Sequence, residues 1–312
     1  MAYFHQPVLL DEVLEFLQPT SGKVFLDCTL GGGGHAFALL EASSPDGELV
    51  GLDLDPYAHK AADERLAKFG ERVTIFAESY LNADRALSEA GFEKKFDGIL
   101  LDLGLSAFQI SSEDERGFSF RTDTPLDMRF SPDTDLTAAE ILNRWPFARL
   151  AEMFRLYGEI KDAGSLAKKI VKAREVAPFK TTQDLVKIVT PKNPFFKAKI
   201  HPATLVFQAL RITVNSELDV IKESLPRLTA LLKIGGRIAV ISYHSLEDRI
   251  VKDYFKDAVL DCVCDKRVPV CRCDHRASLK IITKKPIVPS PSEISANPKA
   301  RSAKLRVDEK IK

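Results

Sequence analysis

The chain has 312 residues, 45% of them hydrophobic, which is enough for one large domain with a buried core and an insertion. Its five cysteines are too sparse for the disulfide framework of a small secreted domain. The sequence contains no run of about 18 apolar residues that could span a membrane, and no signal-like block opens it. We therefore expect a cytoplasmic protein without a membrane partner.

The formal net charge of +1 hides a strong polarity along the chain. Residues 1–143 carry 11 basic and 26 acidic side chains, a balance of −15, whereas residues 144–312 carry 34 and 18, a balance of +16. Such asymmetry indicates a polyanionic partner for the C-terminal part. Solvated helix faces give the same pattern in many proteins, so charge alone leaves both interpretations open.

A strand, a glycine turn and a helix start are predicted over residues 23–36, after a first helix that Pro19 ends. The strand ends at Asp27, and four consecutive glycines, Gly31 to Gly34, follow it. Because glycine lets the backbone approach a ligand closely, this turn is predicted to be the floor of a binding site. An ordinary flexible turn is the alternative.

Two classes of ligand compete for this turn. Gly31, Gly33 and Ala36 satisfy the G-x-G-x-x-G/A pattern of dinucleotide folds, and Asp53 lies about twenty positions further on. However, Asp27 would repel a pyrophosphate, whereas it would attract a sulfonium or an amino group. The turn also lacks the lysine of a P-loop. The sequence therefore favours a methyl-donor site.

Strands and helices alternate along much of the chain. Further buried-type strands are predicted at residues 48–53, 72–76, 96–103, 232–242 and 279–284. A helix opens at Pro56, and one long helix from about Pro202 to Leu232 leads back to the sheet. This alternation predicts an α/β fold with a doubly wound, mostly parallel sheet, and ligands beyond the carboxyl ends of its strands.

Three carboxylates that end predicted strands, Asp27, Asp53 and Asp102, are expected to converge on one crevice. Asp53 is placed to hydrogen-bond a ribose diol, and Asp55 is the alternative unless it only caps the next helix. Tyr80 follows the third strand, where its ring could stack on an adenine or belong to the core.

The alternation stops between residues 111 and 204, where helical patterns dominate from residue 137 to about residue 189 and where residues 144–199 carry 13 basic and 5 acidic side chains. We predict an inserted helical substrate-recognition domain at residues 111–204. The discontinuous remainder, residues 1–110 and 205–312, is then the domain built on the sheet.

Four cysteines lie close together in the sequence as two pairs, Cys262-x-Cys264 and Cys271-x-Cys273, with His275 close behind. Zinc sites with four cysteines usually contain C-x-x-C pairs, so a spacing of one residue is strained for chelation. Reduced free thiols without a metal are the expected state, and a metal site is the alternative.

A series of short motifs covers nearly the whole chain. In order they are His-Gln-Pro-Val-Leu-Leu at 5–10, Gly-Gly-Gly-Gly-His at 31–35, Leu-Asp-Leu-Gly-Leu-Ser at 101–106, Arg-Gly-Phe-Ser-Phe at 116–120, Pro-Leu-Asp-Met-Arg at 125–129, Tyr-Gly-Glu at 157–159, His-Pro-Ala-Thr at 201–204, Phe-Gln-Ala-Leu-Arg-Ile at 207–212, Ile-Ser-Tyr-His-Ser-Leu-Glu-Asp-Arg at 241–249 and Asn-Pro-Lys-Ala-Arg-Ser-Ala-Lys-Leu-Arg at 297–306. In this order they closely resemble the bacterial small-subunit ribosomal RNA methyltransferase H family, which N4-methylates a cytosine in the decoding region of 16S rRNA.

The resemblance implies a class I S-adenosylmethionine-dependent methyltransferase fold and an enzyme that acts on 16S rRNA of the small ribosomal subunit. It implies S-adenosyl-L-methionine as the cofactor and indicates no obligate protein partner. The family's cofactor contacts carry over to Gly33, Gly34, His35, Asp53, Tyr80, Asp102 and Gln109.

The chain departs from the family pattern at a few positions. Tyr80 stands where the family often has phenylalanine, Ile160 where a second glutamate commonly follows Tyr-Gly-Glu, and Leu205 where a basic residue commonly follows His-Pro-Ala-Thr. The last two concern the surface of the helical insertion. A DNA amino-methyltransferase is an alternative function, although the Asp-Pro-Pro-Tyr signature of many such enzymes is missing, and an NAD-dependent oxidoreductase is another.

Methyl transfer needs alignment above all, together with hydrogen-bond acceptors at the cytosine amino group. The acceptor candidates are Asp102, His244 and Asp127, in that order, and a packing role at a helix start is the alternative for His244. The candidate surfaces for stacking an extruded base are Phe118, Phe120, Phe130 and Tyr243.

Overall fold

A computed structural model describes residues 7–106, 108–111, 114–190, 201–265 and 270–312. The chain divides into two compact units, the sheet unit (residues 1–104 and 218–312) and the helical unit (residues 105–217). The helical unit extends beyond the predicted insertion at both ends. Within the described ranges, every helix is too short or too polar to cross a membrane. Residues 5 and 6 of the first predicted motif lie outside the described residues.

The sheet unit is built on one twisted sheet. Its strands are β1 (Val24–Asp27), β2 (Glu48–Asp53), β3 (Val73–Ala77), β4 (Phe96–Asp102), β5 (Leu232–Ser242), β6 (Leu279–Ile281) and β7 (Lys304–Lys310). They follow the order β3-β2-β1-β4-β5-β7-β6. The first five strands pair in parallel, whereas β7 is antiparallel to both β5 and β6. The predicted doubly wound, mostly parallel sheet is confirmed.

Helices connect the strands and fill the insertion. In chain order they are α1 (Leu10–Leu17), α2 (Gly34–Ala42), α3 (Pro56–Leu66), α4 (Ala83–Glu89), α5 (Ala138–Arg144), α6 (Phe147–Tyr157), α7 (Ala163–Val176), α8 (Thr182–Val189), α9 (Pro202–Asn215), α10 (Glu217–Leu231), α11 (Ser245–Ala258) and α12 (Pro291–Ala296). Short 3-10 turns cover Ala67–Arg72, Tyr80–Asn82 and Pro298–Ser302.

The sheet is covered by helices on both faces, which explains why its strands are almost continuously apolar. Neighbouring residues of a strand enter opposite cores: Phe25 packs with α1, α2 and α3, whereas Leu26 packs with α4, α10 and α11. In β4, Leu100 belongs to the first core and Ile99 to the second. Burying each such side chain contributes about 1.5–3 kcal/mol, so the two cores fix the register of the strands.

The prediction of one long helix over residues 202–232 is wrong. The helix is interrupted at Ser216, which adopts a left-handed conformation with φ of 50° between α9 and α10. Across the interruption, the Arg211 guanidinium donates two hydrogen bonds of 2.8 Å to the Glu217 carboxylate. A serine with positive φ leaves no trace in the apolar pattern, so periodicity could not reveal the break.

The predicted last strand forms only the edge of the sheet. β6 covers Leu279–Ile281, and the unpredicted β7 lies between it and β5. The residues of β7, Lys-Leu-Arg-Val-Asp-Glu-Lys, alternate between apolar and charged side chains at first and lie in the basic C-terminal part of the chain. Because an antiparallel strand needs no crossover helix, the β-α rhythm gave no signal for it.

The helical unit has a core of its own, formed by residues of α5 to α9 and of the preceding irregular segment. Two of its helices begin with a capping box: Thr137 accepts from the Glu140 amide and Thr181 from the Asp184 amide, while each acid bonds back to the threonine amide. Helix α7 exposes several lysines to solvent. A role for this unit in substrate recognition stays a prediction.

Candidate active site

The carboxyl ends of β1 and β4 are joined through Thr29. The Asp102 amide donates a 2.6 Å hydrogen bond to Thr29 Oγ1, and the Thr29 amide donates a 3.1 Å bond to Asp27 Oδ1. Asp27 is 1% exposed. Thr29 thus holds the carboxylate of Asp27 and the backbone of Asp102. Sequence reasoning missed this role, and the only available signal was a hydroxyl two residues after a strand-end aspartate.

Asp53, at the end of β2, organises the glycine turn. Its Oδ2 accepts a 2.8 Å hydrogen bond from the Gly31 amide, and its Oδ1 accepts a 2.9 Å bond from the Asp55 amide. Asp55 in turn caps α3 by accepting from the Tyr57 amide at 3.0 Å. The structure therefore gives Asp55 the capping role that was one of its two alternatives. A carboxylate offers about four lone-pair positions, so Asp53 retains capacity for ribose hydroxyls.

The glycines of the turn serve different purposes. Gly33 has φ of 70°, and a Cβ there would lie 3.3 Å from Leu66 Cδ1. Gly34 begins α2, and a Cβ there would lie 2.7 Å from Pro7 Cγ. A Cβ on Gly32, by contrast, would meet no atom within 4 Å. Packing thus requires Gly33 and Gly34, whereas the backbone at Gly32 faces open space.

His35 is buried in the first turn of α2. Its Nε2 lies 3.0 Å from the Val8 carbonyl oxygen, so this nitrogen carries the proton and donates it. Its Nδ1 faces Asp102 Oδ2 at 3.7 Å. Burial lowers the pKa of His35, although Asp27 opposes this effect. The geometry therefore places a neutral imidazole beside the strand-end carboxylates.

Asp102 is held from a second side by the segment after β5. The Tyr243 hydroxyl donates a 2.8 Å hydrogen bond to Asp102 Oδ1, and the Tyr243 amide donates a 2.8 Å bond to Glu247 Oε2. The pKa of Asp102 is raised to about 7, mainly by burial. The hydrogen bond from Tyr243 opposes this rise, and the negative charge of Glu247 adds to it. The predicted stacking candidate Tyr243 is thus fixed by its hydroxyl, and its bond to Asp102 was not foreseen.

The crevice concentrates negative charge away from water. Burial raises the pKa of Asp27 to about 7; His35 and the Thr29 amide lower it, and the carboxylates of Asp102 and Asp53 raise it. Burial also raises the pKa of Asp53. Like charges in a desolvated crevice destabilise one another, and a cation relieves that repulsion. The site is therefore suited to a positively charged ligand.

His244 is the N-cap of α11. Its Nδ1 lies 3.4 Å from the Glu247 amide nitrogen, and its Nε2 lies 3.1 Å from Glu247 Oε1. Both ring nitrogens therefore face one glutamate, in an arrangement that begins the helix. This geometry supports the packing alternative for His244 over a role as proton acceptor, which stays untested.

Tyr80 begins the 3-10 turn that follows β3, where Ser79 caps the turn by accepting from the Leu81 amide at 3.2 Å. Its side chain is half-buried against the core that contains α4. The position at a strand end fits the predicted adenine contact, and the packing fits the core alternative. Both interpretations stay open.

Gln109 and Asp127 belong to the helical unit. Gln109 is buried, and its Oε1 accepts a 2.9 Å hydrogen bond from the Ser106 amide. Asp127 accepts from the Arg129 guanidinium through both oxygens at 2.8 Å, and these bonds hold its pKa below the ordinary value despite partial burial. Asp127 is thus a paired, ionised carboxylate, which weakens it as an acceptor for a cytosine amino group.

The phenylalanines predicted as stacking surfaces pack within the helical unit. Phe118 stacks on Phe130 with ring centroids 5.6 Å apart. Phe120 stacks on His201 at 5.0 Å and meets Phe207 edge-on at 5.5 Å. These contacts show that the three rings pack in or against the core of the helical unit.

The chain matches a well-populated group of proteins. The sequence model described as the MraW methylase family matches residues 2–311. A protein named ribosomal RNA small subunit methyltransferase H from Heliobacterium modesticaldum is 48% identical over 100% of both chains. Proteins of the same name are 49% identical in Syntrophotalea carbinolica, over 97% of this chain and 96% of the relative, and 48% identical in Geobacter sp. strain M21, over 99% of each chain.

The glycine turn yields a stability prediction. Gly33→Ala is expected to lower the free energy of unfolding by about 1–2 kcal/mol, because alanine is strained at positive φ and its Cβ would press on Leu66. Gly32→Ala is the matched control, since its Cβ enters open space. Urea unfolding of the ligand-free variants measures the difference. Equal destabilisation by the two substitutions would contradict the assigned turn geometry.

The raised pKa values of Asp27 and Asp102 predict pH-linked binding of a cation. Below about pH 7 the free protein holds protons on these groups, and S-adenosylmethionine should displace them because its sulfonium favours the carboxylates. We expect its affinity to fall by up to about tenfold per group from pH 8 to pH 6. Calorimetry in buffers of different ionisation enthalpy measures the released protons.

Two controls sharpen this measurement. The neutral product S-adenosylhomocysteine should release fewer protons on binding, because its thioether carries no charge. Asp308→Asn removes another buried carboxyl with a pKa raised to about 7, in β7, and should leave the linkage unchanged. Equal proton release by both ligands would contradict a carboxylate site for the sulfonium.

Proposed function

The chain belongs to the MraW methylase family, and we propose that it transfers a methyl group from S-adenosylmethionine to N4 of a cytosine in the decoding region of 16S rRNA. The enzyme is an S-adenosylmethionine-dependent rRNA methyltransferase. The observation that carries the proposal is the full-length match to relatives named for the RNA of the small ribosomal subunit. The family match and the names of the relatives do not favour the two alternative functions, a DNA amino-methyltransferase and an oxidoreductase.

The residues of the crevice fit the cofactor. The open space at Gly32 lets a ligand reach the backbone, and the lone pairs of Asp53 suit ribose hydroxyls. The buried carboxyl of Asp27 and the half-buried carboxyl of Asp102, whose pKa values are raised to about 7, suit a cation. When bound, S-adenosylmethionine supplies an electrophilic methyl group on a sulfonium. The protein then has to align that group with the acceptor base.

Alignment accounts for most of the proposed catalysis. With the cofactor bound, the cytosine N4 lone pair would form the new C–N bond, and the electrons of the broken S–C bond would stay with sulfur. Holding the two reactants at near-attack distance can supply roughly 7–11 kcal/mol of the barrier. Because Thr29 fixes the backbone of Asp102 and the Tyr243 hydroxyl fixes its carboxylate, this carboxylate is pre-oriented for the reaction.

Asp102 remains the first candidate for the hydrogen-bond acceptor at the amino group. Its ionised form would accept an N–H bond, favour the pyramidal nucleophile and take the proton that N4 loses after methylation. His244 and Asp127 are weaker candidates, because the first faces Glu247 and the second is clamped by Arg129. These contacts support Asp102 as the first of the three candidates, and its role stays a proposal.

The proposed RNA partner agrees with the charge of one part of the helical unit. Residues 144–199 carry 13 basic and 5 acidic side chains. Lys168, Lys169 and Lys172 lie exposed along α7, where they are available to phosphates. Binding of 16S rRNA by this surface is our proposal, and a cytoplasmic location stays a prediction.

Nucleoside mass spectrometry of 16S rRNA tests the proposal. Small ribosomal subunits incubated with the enzyme and labelled S-adenosylmethionine should gain label on N4 of one cytosine. Asp102→Asn should lower kcat by about 100-fold or more, because the amide cannot take the proton. Asp308→Asn is the control, since its carboxyl lies in β7.

Two results would count against the account in different ways. Label on another atom, or on another RNA, would refute the proposed substrate. Full turnover by Asp102→Asn with methylation at the proposed cytosine would refute only the role of Asp102.

A further inference from the structure

Four of the five cysteines meet in the segment between α11 and β6, residues 259–278. The Sγ atoms of Cys262, Cys264, Cys271 and Cys273, named here the thiol cluster, all lie within 4.8 Å of one another. The Sγ atoms of Cys271 and Cys273 are 3.6 Å apart, and those of Cys262 and Cys273 are 3.7 Å apart. The described parts of the segment, residues 259–265 and 270–278, thus bring the two cysteine pairs around one point.

The sulfur separations fit a shared metal ion. Four thiolates at about 2.3 Å from a tetrahedral zinc ion have sulfur atoms roughly 3.8 Å apart. A disulfide would bring the sulfur atoms of one pair to about 2.05 Å, and it would not explain why the other two sulfur atoms lie close to that pair. The Cys264 amide lies 3.4 Å from Cys262 Sγ, and the Arg272 amide lies 3.5 Å from Cys264 Sγ. Such amide donors stabilise thiolates.

Hydrophobic burial does not explain why the segment folds. Val263 is 46% exposed and Val270 is 69% exposed. The segment is tied to α11 mainly near its C-terminal end, where His275 Nε2 lies 2.9 Å from the Asp257 carbonyl oxygen and the Ser278 amide donates to the Ala258 carbonyl at 2.9 Å. Among the described residues of the segment, those around the cysteines have little apolar packing, so they need another source of stability, and metal binding would supply it.

We propose that Cys262, Cys264, Cys271 and Cys273 bind one structural zinc ion. On binding, the four thiols lose their protons and form a tetrathiolate site with a net charge of −2, without any change of oxidation state. Soft sulfur ligands in a tetrahedral set select zinc among the common divalent ions. The pairs with one intervening residue, which spacing alone disfavoured, are thus brought into chelating range by the fold.

The zinc has a structural role because of where it lies. Four protein ligands leave no open position for a substrate or a water molecule. Helix α11 begins at the strand ends beside Tyr243 and ends at Ala258, just before the thiol cluster. A helix of 14 residues spans about 21 Å, so the zinc lies far from the cofactor crevice. Its loss should therefore loosen the segment and leave cofactor binding intact.

Elemental analysis of the full-length protein, purified without chelators, tests the site directly. The wild-type protein and the control Cys28→Ala, whose cysteine is buried in the sheet core, should carry about one zinc ion per chain. Cys262→Ser and Cys273→Ser should carry far less. Replacement of zinc by cobalt(II) should give the visible absorption of a tetrahedral thiolate complex in the wild type and in Cys28→Ala, but not in the two cluster variants.

Limited proteolysis and cofactor binding separate this proposal from a general folding defect. Cleavage within residues 259–278 should become at least several-fold faster in the two cluster variants, whereas their affinity for S-adenosylhomocysteine should stay unchanged. Wild-type protein without metal, an iron–sulfur chromophore, or a disulfide within the thiol cluster found by mass spectrometry would each overturn the proposal.

Discussion

The burial of negative charge at the ends of β1 and β4 is the constraint on which the rest of the site depends. Asp27 and Asp102 are linked through Thr29 and lie in a crevice where burial raises both pKa values to about 7. In the free protein their ionisation works against folding, because the charged form is poorly solvated. Protonation of the two carboxyls favours the folded state. This contribution to the free energy of unfolding is fully present below the ordinary aspartate pKa and is lost as the pH rises through about 7. A bound cation offsets that loss.

The fold places these groups together by construction. Parallel strands bring their carboxyl ends to one edge of the sheet, so aspartates separated by tens of residues in sequence meet there. Asp53 fixes the glycine turn through the Gly31 amide, and Tyr243 reaches Asp102 from the end of β5. The two apolar cores hold the strands in register, and this register fixes the positions of the carboxylates.

Sequence patterns predicted the parts of this account that depend on local repetition. Buried apolar runs gave the strands, their ends gave Asp27, Asp53 and Asp102, and the ordered motifs gave the family. The bond from Tyr243 to Asp102 joins distant segments and left no pattern to find. The two cysteine pairs were visible in the sequence, and only the approach of their four sulfur atoms to within 4.8 Å of one another depends on the fold. β7 was missed because an antiparallel strand lacks a crossover helix.

The most direct test of the central claim compares ligands that differ in charge at sulfur. At pH 8, the ratio of the Kd of S-adenosylhomocysteine to the Kd of S-adenosylmethionine should be larger for the wild-type protein than for Asp27→Asn. The substitution should weaken S-adenosylmethionine by about tenfold or more and leave S-adenosylhomocysteine nearly unchanged, because only the sulfonium interacts with the lost charge. An equal loss of affinity for both ligands would contradict the claim that buried carboxylates hold the sulfonium.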